Sequence, residues 1–275
     1  MEFIKRFAKH RLAVVGGIFG ILLILIAIFA PYIAPYDPNT MDFGSIMAKP
    51  SLKHLFGTDH LGRDLLSRII YSARVSLLVG VGAVCFSAFI GGICGLAAGY
   101  FGKAVDIVIM RCLDVVWAFP PTLLALAFVA VRGASLSAVI LAIGIVGIPQ
   151  YARIVRSSVL SVKERDYILA ARASGIGIMK IIFTHVTPNV LAPVIVVASL
   201  GMAGAIMIES ILSFLGLGMQ PPASSWGLMI SEGQKYLRTF PFFSLFPGLM
   251  IMLTVFSLNV FGDGLRDAWD PKLKA

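Results

Sequence analysis

The chain has 275 residues, of which 58% are hydrophobic and only 13% are charged, and its mean hydropathy is +0.91. An ordinary soluble domain carries about 25% charged residues, because polar groups have to cover its surface. The composition therefore excludes a soluble enzyme, a disordered regulator and a secreted disulfide scaffold, and it indicates a membrane protein. The net charge of +9 would suggest a nucleic-acid partner for a soluble protein, but here it is first tested as a topology signal.

Six uncharged runs are long enough to cross the hydrocarbon core, which takes about 20 apolar residues in a helix. In chain order they are Leu12–Tyr36, Val75–Gly102, Val115–Val131 with an extension back to Asp106, Gly133–Ala152, Val186–Ile208 and Thr239–Gly262. A seventh run, Ser210–Ser231, is rich in glycine and proline, which break helices. We interpret it as the end of the fifth helix followed by a loop or a re-entrant segment. The sequence thus predicts an all-α polytopic membrane protein with six transmembrane helices.

Prolines and glycines inside the spans indicate how these helices pack. Pro120–Pro121 and Pro149 should kink their helices, and such kinks can shape a cavity. Glycines let neighbouring helices approach closely. They recur as Gly80, Gly82, Gly91, Gly92, Gly95 and Gly99 in the second span and as Gly201 and Gly204 in the fifth.

The external segment Asp37–Arg74 predicts a helix of its own. Thr58 or Asp59 can cap it. Two pairs of opposite charge have the i,i+4 spacing that supports a helix, and they are Asp59 with Arg63 and Asp64 with Arg68. We expect an amphipathic helix along the outer membrane interface. The residues leave open whether it only packs there or contacts an external delivery protein.

The segment Arg153–His185 is the longer loop on the opposite side, and it predicts a short helix. Glu164 or Asp166 lies where a negative charge favours a helix start, and Gly175 lies where a helix commonly ends. The small alanines between them would let another backbone approach closely. From the residues alone, this helix is either a docking element for a partner or an ordinary surface turn.

Lysine and arginine residues orient the six helices, because they are enriched on the cytoplasmic side of membrane proteins. If both ends of the chain share one side, that side holds roughly two thirds of the 23 basic residues. The sequence therefore predicts a multi-pass protein of the inner (cytoplasmic) membrane with both termini in the cytoplasm. No basic domain remains that would bind nucleic acid.

The segments Asp166–Gly175 and His185–Asn189 together resemble the "EAA" loop of permease subunits of ATP-binding-cassette (ABC) importers. The alanine pair, the glycine and the proline of that loop are present. The match departs at Leu169, which stands in place of the family's glutamate, and at His185 and Thr187, which stand in place of apolar residues. The peptide and nickel branch of the family often lacks that glutamate.

Three further motifs resemble the "C"-type permease subunit of dipeptide and oligopeptide importers. They are Ser213–Pro222 with Ser225–Gly227, Gly262–Pro271, and an external motif made of Phe56, Gly57, Thr58, Asp59, Gly62, Arg63, Asp64, Ser67 and Arg68. The resemblance covers nearly the whole chain. It divides the chain into an N-terminal region, residues 1–74, and a permease core, residues 75–275, with a coupling loop at 153–185.

The resemblance implies a type I ABC importer permease fold and one half of a path for peptides across the membrane. The implied partners are a homologous second permease subunit, two ABC ATPase subunits and an extracytoplasmic solute-binding protein, all at a lipid membrane. The ATPase-coupling helix would comprise Glu164, Arg165, Asp166, Tyr167, Leu169, Ala170, Ala171, Arg172 and Gly175. The chain has no G-x-x-x-x-G-K-[ST] loop, so we expect ATP and Mg²⁺ to be used by the partner ATPases and not by this chain.

Other functions remain open from the residues. A nickel or glutathione importer of the same branch would share these motifs, and a secondary transporter working alone, or a passive scaffold, would share the composition. No set of histidine, cysteine and acidic residues has metal-ligand spacing, so no metal site and no bound cofactor are expected.

Glu209 is the one acid deep within an apolar run. An intramembrane carboxylate is a functional candidate by default. It lies about 20 residues beyond Asn189, which is roughly 30 Å along a helix and so close to the outer interface. Two interpretations remain, a residue lining the translocation path and a structural hydrogen bond.

Overall fold

The computed structural model describes residues 7–8 and 10–269. Within these residues the regular secondary structure is helical, apart from an isolated β-bridge between Thr58 and Asp64. The helices are α1 (Arg11–Ile28), α2 (Ala30–Ile33), α3 (Leu65–Phe101), α4 (Lys103–Trp117), α5 (Pro121–Arg132), α6 (Leu136–Lys163), α7 (Asp166–Ala173), α8 (Ile178–Ile181), α9 (Thr187–Phe214), α10 (Trp226–Gly233) and α11 (Phe242–Trp269). A π-helical turn, Ile182–Val186, joins α8 to α9, and short 3₁₀ turns lie at Phe43–Ser45 and Gln234–Tyr236.

Five helical stretches in the described part of the chain are long and apolar enough to cross a membrane: α1, α3, α6, the continuous Ile178–Phe214 and α11. The pair α4 and α5 makes a sixth if it is counted as one span, although its two helices meet at 86°. The sequence predicted one kinked helix here. The break at Ala118–Pro120 is sharper than a kink, because Pro120 and Pro121 lack backbone N–H groups and disfavour helical geometry in the residue before them.

Helix α6 is longer than the sequence predicted. It continues past Ala152 to Lys163, so the first part of the predicted loop 153–185 is helical. The last predicted span also extends further, because α11 includes most of the Gly262–Pro271 motif. The end of that motif, residues 270 and 271, lies outside the described residues.

The pair α3 and α6 is the most extensively packed in the described bundle. A Cβ atom added at Gly91, Gly95 or Gly99 would lie 2.5 to 2.8 Å from atoms of α6, so close approach depends on these glycines. Gly92 differs, because an added Cβ there would have no heavy atom within 4 Å. The four-residue spacing of the three glycines places them on one face, as in other close helix pairs in membranes.

The predicted external amphipathic helix, with its cap at Thr58 or Asp59, is wrong for the residues before Leu65. Helix α3 begins only at Leu65, where the Asp64 carboxylate accepts the backbone N–H of Ser67. Before it lies a turn, in which the Asp59 carboxylate accepts the N–H groups of Leu61 and Arg63 at 2.8 and 2.9 Å. Gly62 has a φ of +76°, which a helix does not allow. The pair Asp59/Arg63 forms within this turn, whereas Asp64 and Arg68 bind other partners.

The glycine- and proline-rich run Ser210–Ser231 does not form a seventh span. Helix α9 continues to Phe214, a loop follows, and the short helix α10 begins at Trp226 behind the capping side chain of Ser225. Trp226 is fully buried and donates its indole N–H to the Ile69 carbonyl at 3.1 Å. The interpretation as the end of the fifth helix plus a loop is confirmed, and α10 is folded back against the start of α3.

Candidate functional site

Helix α7 forms where the sequence predicted the coupling helix, and its end has a complete cap. The Gly175 N–H donates to the Arg172 carbonyl at 3.0 Å, and the Ile176 N–H donates to the Ala171 carbonyl at 3.1 Å. Gly175 has a φ of +75°, so this is a Schellman motif of the kind that glycine makes possible. Asp166 in the first turn and Arg172 in the last turn both complement the helix dipole.

One face of α7 is buried and the other is exposed. Ile168 and Ala171 pack into a cluster with Val155, Val159 and Val162 of α6. The remaining predicted coupling residues are exposed, and they are Glu164, Arg165, Asp166, Tyr167, Leu169, Ala170, Arg172 and Gly175. Ala171 therefore does not belong to the surface that a partner could touch, although the sequence grouped it with Ala170. A helix turns by 100° per residue, so neighbours on a short helix face different ways.

The external motif forms a buried network of charges. Asp59 is fully buried and accepts from Arg63 Nε at 2.6 Å, and Arg68 Nε lies 3.6 Å from the same carboxylate. Both arginines also reach Glu232 on α10, at 3.4 and 3.2 Å. The network fastens the turn before α3 to α10. Burying charges is favourable only when they are paired this closely.

The rest of the motif fixes the start of α3. Buried His54 lies 2.9 Å from Asp64 through Nδ1, and Ser67 donates its hydroxyl to the same carboxylate at 2.7 Å. The Thr58 hydroxyl donates to the Ser45 carbonyl. Nearby, hydrogen bonds from Ser45 and from the Gly44 backbone hold the pKa of Asp42 below its usual range. These contacts hold the external segment against the end of the bundle.

Glu209 lies in a pocket of serine hydroxyls, and its side chain is 1% exposed. Ser213 donates to it at 2.6 Å, Ser76 at 3.4 Å and Ser210 at 3.5 Å. These hydroxyls join the last part of α9 to the first half of α3, and Glu209 does not line the central cavity. The geometry favours the structural interpretation of this residue.

A cavity of about 390 Å³ lies between α3, the break from α4 to α5, α6 and α9. Its lining includes Ser87, Trp117, Gln150, Tyr151 and Gly201. The side chains that line it in the described structure carry no formal charge. Its size falls within the range of small-ligand sites, about 300 to 1,000 Å³.

The family model for the inner membrane component of binding-protein-dependent transport systems matches residues 91–275. A second model, for the N-terminal transmembrane domain of oligopeptide transport permease C, matches residues 1–50. The chain belongs to the family of binding-protein-dependent inner-membrane permeases. It is an ABC importer permease, and the stand-alone transporter and the scaffold that the sequence left open are set aside.

Named relatives cover nearly the whole permease. The dipeptide transport system permease protein DppC of Alkalihalophilus pseudofirmus is 46% identical over 100% of this chain and 90% of its own length. The di/tripeptide transport system permease protein DppC of Pseudomonas aeruginosa is 43% identical over 99% of this chain and 92% of its own. The glutathione transport system permease protein GsiD of Escherichia coli is 44% identical over 99% and 90%.

A solved structure confirms the fold. A chain from a crystal structure of an amino acid ABC transporter with histidines superposes with a TM-score of 0.50 at 14% identity. The match covers 73% of the permease and 96% of that chain. The type I permease fold predicted from the motifs is thereby shown.

Sequence reasoning missed the residues of the cavity, although it named the prolines that shape it. Gln150 and Tyr151 are polar groups inside the apolar run of α6, next to Pro149, and that contrast was the available signal. Their importance depends on α9, which supplies the opposite wall from a distant part of the sequence.

One group of described side chains lies close enough to hold a metal ion, namely Asp59, His60 and Glu232. Both of its carboxylates are already paired with Arg63 and Arg68. Two guanidinium groups at this distance repel a cation, so the cluster fits an ion-pair network better than a metal site.

Proposed function

We propose that this permease forms half of the path of an importer for short peptides, paired with a homologous second permease subunit. Of the two partner ATPase subunits, which use ATP and Mg²⁺, one docks on the exposed face of α7 and the other on the second permease subunit. An extracytoplasmic solute-binding protein delivers the peptide. The named relatives support the substrate class, because they transport dipeptides, tripeptides or glutathione, which is itself a tripeptide.

One observation carries the proposal: helix α6 holds both the docking helix and the cavity wall. Val155, Val159 and Val162 of α6 pack against α7, and Gln150 and Tyr151 of α6 line the cavity. A force applied to α7 therefore reaches the cavity through one continuous helix. The end of α6 next to α7 is also bonded to α3, because the Lys163 side chain donates to the Gly99 carbonyl at 3.0 Å.

Coupling of ATP hydrolysis to transport then requires two arrangements of the helices that have similar free energies. Closure of the ATPases on nucleotide moves α7 and α6 together, and the α3 and α6 pair can shift because its contact is made by small residues. Hydrolysis resets the arrangement. The break between α4 and α5 gives the cavity a wall that is free to change its angle.

The test is peptide uptake by the assembled complex in proteoliposomes, with radiolabelled dialanine outside and ATP inside. Leu169→Glu places a charge on the outward face of α7, where Leu169 is 50% exposed. We expect ATP-driven uptake and ATPase recovery with the permease to fall at least tenfold. The matched control is Leu52→Glu in the external segment, at a leucine that is 99% exposed. Uptake that persists without the ATPases would refute the proposal.

The proposed orientation places both termini in the cytoplasm of a cell with an inner membrane. The distribution of basic residues supports it, with roughly two thirds of them on the side of α7. When a fluorescent protein that matures only in the cytoplasm is fused to the C-terminus, the fusion should fluoresce. Alkaline phosphatase activity from the same position would place that end outside.

A further inference from the structure

Tyr151 combines deep burial with an unsatisfied hydroxyl. The residue is 2% exposed, and its hydroxyl makes no hydrogen bond to any of the described residues. Nearly all buried polar groups in proteins have a partner, and leaving one without costs free energy. Tyr151 and Gly201, the residue next to this hydroxyl, both line the central cavity, and the hydroxyl itself is enclosed between α6 and α9.

Gly201 gives the hydroxyl its space. A Cβ atom at Gly201 would lie 2.6 Å from the Tyr151 oxygen, which is too close for any other residue without a shift. At Gly204, one turn further along α9 and also on the wall, an added Cβ would meet nothing within 4 Å. The Tyr151 hydroxyl thus packs directly against Gly201, and a side chain at position 201 would displace it.

The other polar groups of the wall define what could bind. The Ser87 hydroxyl already donates to backbone carbonyls of Ala83 and Gly144, at 2.8 and 2.7 Å. The side chains of Tyr151, Gln150 and Trp117 are left, and no hydrogen bond links any of them to another described residue. A hydroxyl and a primary amide beside apolar walls match the donor and acceptor pattern of a neutral peptide group.

Tyr151 lies near the middle of α6 as measured along the helix, about 22 Å from its start at Leu136 and about 18 Å from its end at Lys163, at 1.5 Å per residue. It lies close to the end of the apolar run of α6, because Arg153, which pairs with Asp114, follows two residues later.

We propose that Tyr151 and Gln150 form a transit site that binds the backbone amide of a short peptide inside the permease. The Tyr151 hydroxyl donates to a peptide carbonyl, and the Gln150 amide pairs with an adjacent N–H or carbonyl. The inference rests on the proposed function and names the groups that would recognise its substrate.

The first test is Tyr151→Phe, which removes only the hydroxyl, in the complete complex in proteoliposomes. We expect dialanine uptake at saturating binding protein to fall about fivefold, the factor expected for one neutral hydrogen bond. ATPase activity without peptide and subunit assembly should not change. Tyr32→Phe is the matched control, since Tyr32 is 87% exposed. Unchanged uptake by Tyr151→Phe would overturn the transit site while leaving the proposed function intact.

A second pair of variants tests the same hydroxyl from the facing helix. Gly201→Ala should displace it and reduce uptake, whereas Gly204→Ala adds the same methyl group away from it. Equal uptake by the two variants would count against the site.

A direct measurement covers the case in which a variant fails to assemble. A dipeptide of photoleucine and alanine is irradiated with the unmodified complex during turnover, and adducts are mapped by mass spectrometry. Adducts within 143–151 or 200–208, competed by dialanine, support the site. Adducts confined to other segments would overturn it, and absence of ATP-driven uptake by the unmodified complex would instead refute the proposed function.

Discussion

The contact between α3 and α6 makes a quantitative prediction from two adjacent glycines. A Cβ atom at Gly91 would lie 2.7 Å from the Ile148 carbonyl oxygen, 2.8 Å from the Tyr151 Cβ and 3.0 Å from the Ala152 nitrogen. These are backbone and Cβ atoms of α6, so relief requires the two helices to separate. A Cβ atom at Gly92 would have no heavy atom within 4 Å. Gly91→Ala should therefore destabilise the permease, and Gly92→Ala should not.

The magnitude follows because the two variants share every other effect. Replacing glycine by alanine within a helix gains about 1 kcal/mol at either position. Overpacking a close contact costs about 1–3 kcal/mol, and only Gly91→Ala incurs it. The difference between the variants should thus be about 1–3 kcal/mol in the free energy of unfolding. For a chain of this size each kcal/mol shifts Tm by roughly 2–4 °C.

The assay is thermal unfolding of the purified permease in detergent, followed by fluorescence-detected size exclusion. Gly91→Ala should have a Tm several degrees below that of Gly92→Ala, and Gly95→Ala should behave like Gly91→Ala. Equal Tm values for Gly91→Ala and Gly92→Ala would refute the close packing of α3 on α6. That result would also remove the physical basis for a shift along this contact during transport.

Three further predictions test the remaining sites. Asp59→Ala leaves two buried arginines with Glu232 as their one remaining carboxylate partner in the described network, and should cost about 3–5 kcal/mol of stability, measured by thermal unfolding; Asp37→Ala in the same segment, at an exposed acid, should have little effect. Glu209→Gln should leave peptide uptake and assembly unchanged, because Glu209 lies outside the cavity. A clear loss of uptake by an assembled complex would show that Glu209 takes part in the translocation path. Ala171→Glu should destabilise the protein because Ala171 packs inward. Ala170→Glu should leave Tm unchanged while reducing ATPase recovery, and the opposite order of the two alanine variants would show that α7 is turned the other way.

The segments that the sequence predicted well are those with a local cause. Helix α7 has an acid in its first turn and a glycine after its last, and both signals act within a few residues. The long spans follow from uncharged runs, because lipid demands that a segment satisfy its own backbone hydrogen bonds. The end of α9 and the loop after it follow from clustered glycine and proline.

The errors arose where one local signal fits two structures. The charges at Asp59 and Arg63 have helical spacing, but a tight turn closed by the Asp59 side chain brings the same two groups together. Gly62 was the available counter-signal, since its positive φ ends a helix. Ala170 and Ala171 looked equivalent as small residues, and only the burial of Ile168 against α6 decides which alanine faces outward.

The sequence by itself determined the membrane class, the approximate spans, the short helix α7 and the permease family, because composition, run length and short motifs are read along the chain. Only the tertiary structure decided which glycines form the α3 and α6 contact, why Glu209 is enclosed by serines and where the cavity lies. Those features join side chains from helices far apart in sequence, such as Tyr151 and Gly201. Their meeting depends on how the helices pack, and no local pattern encodes that distance.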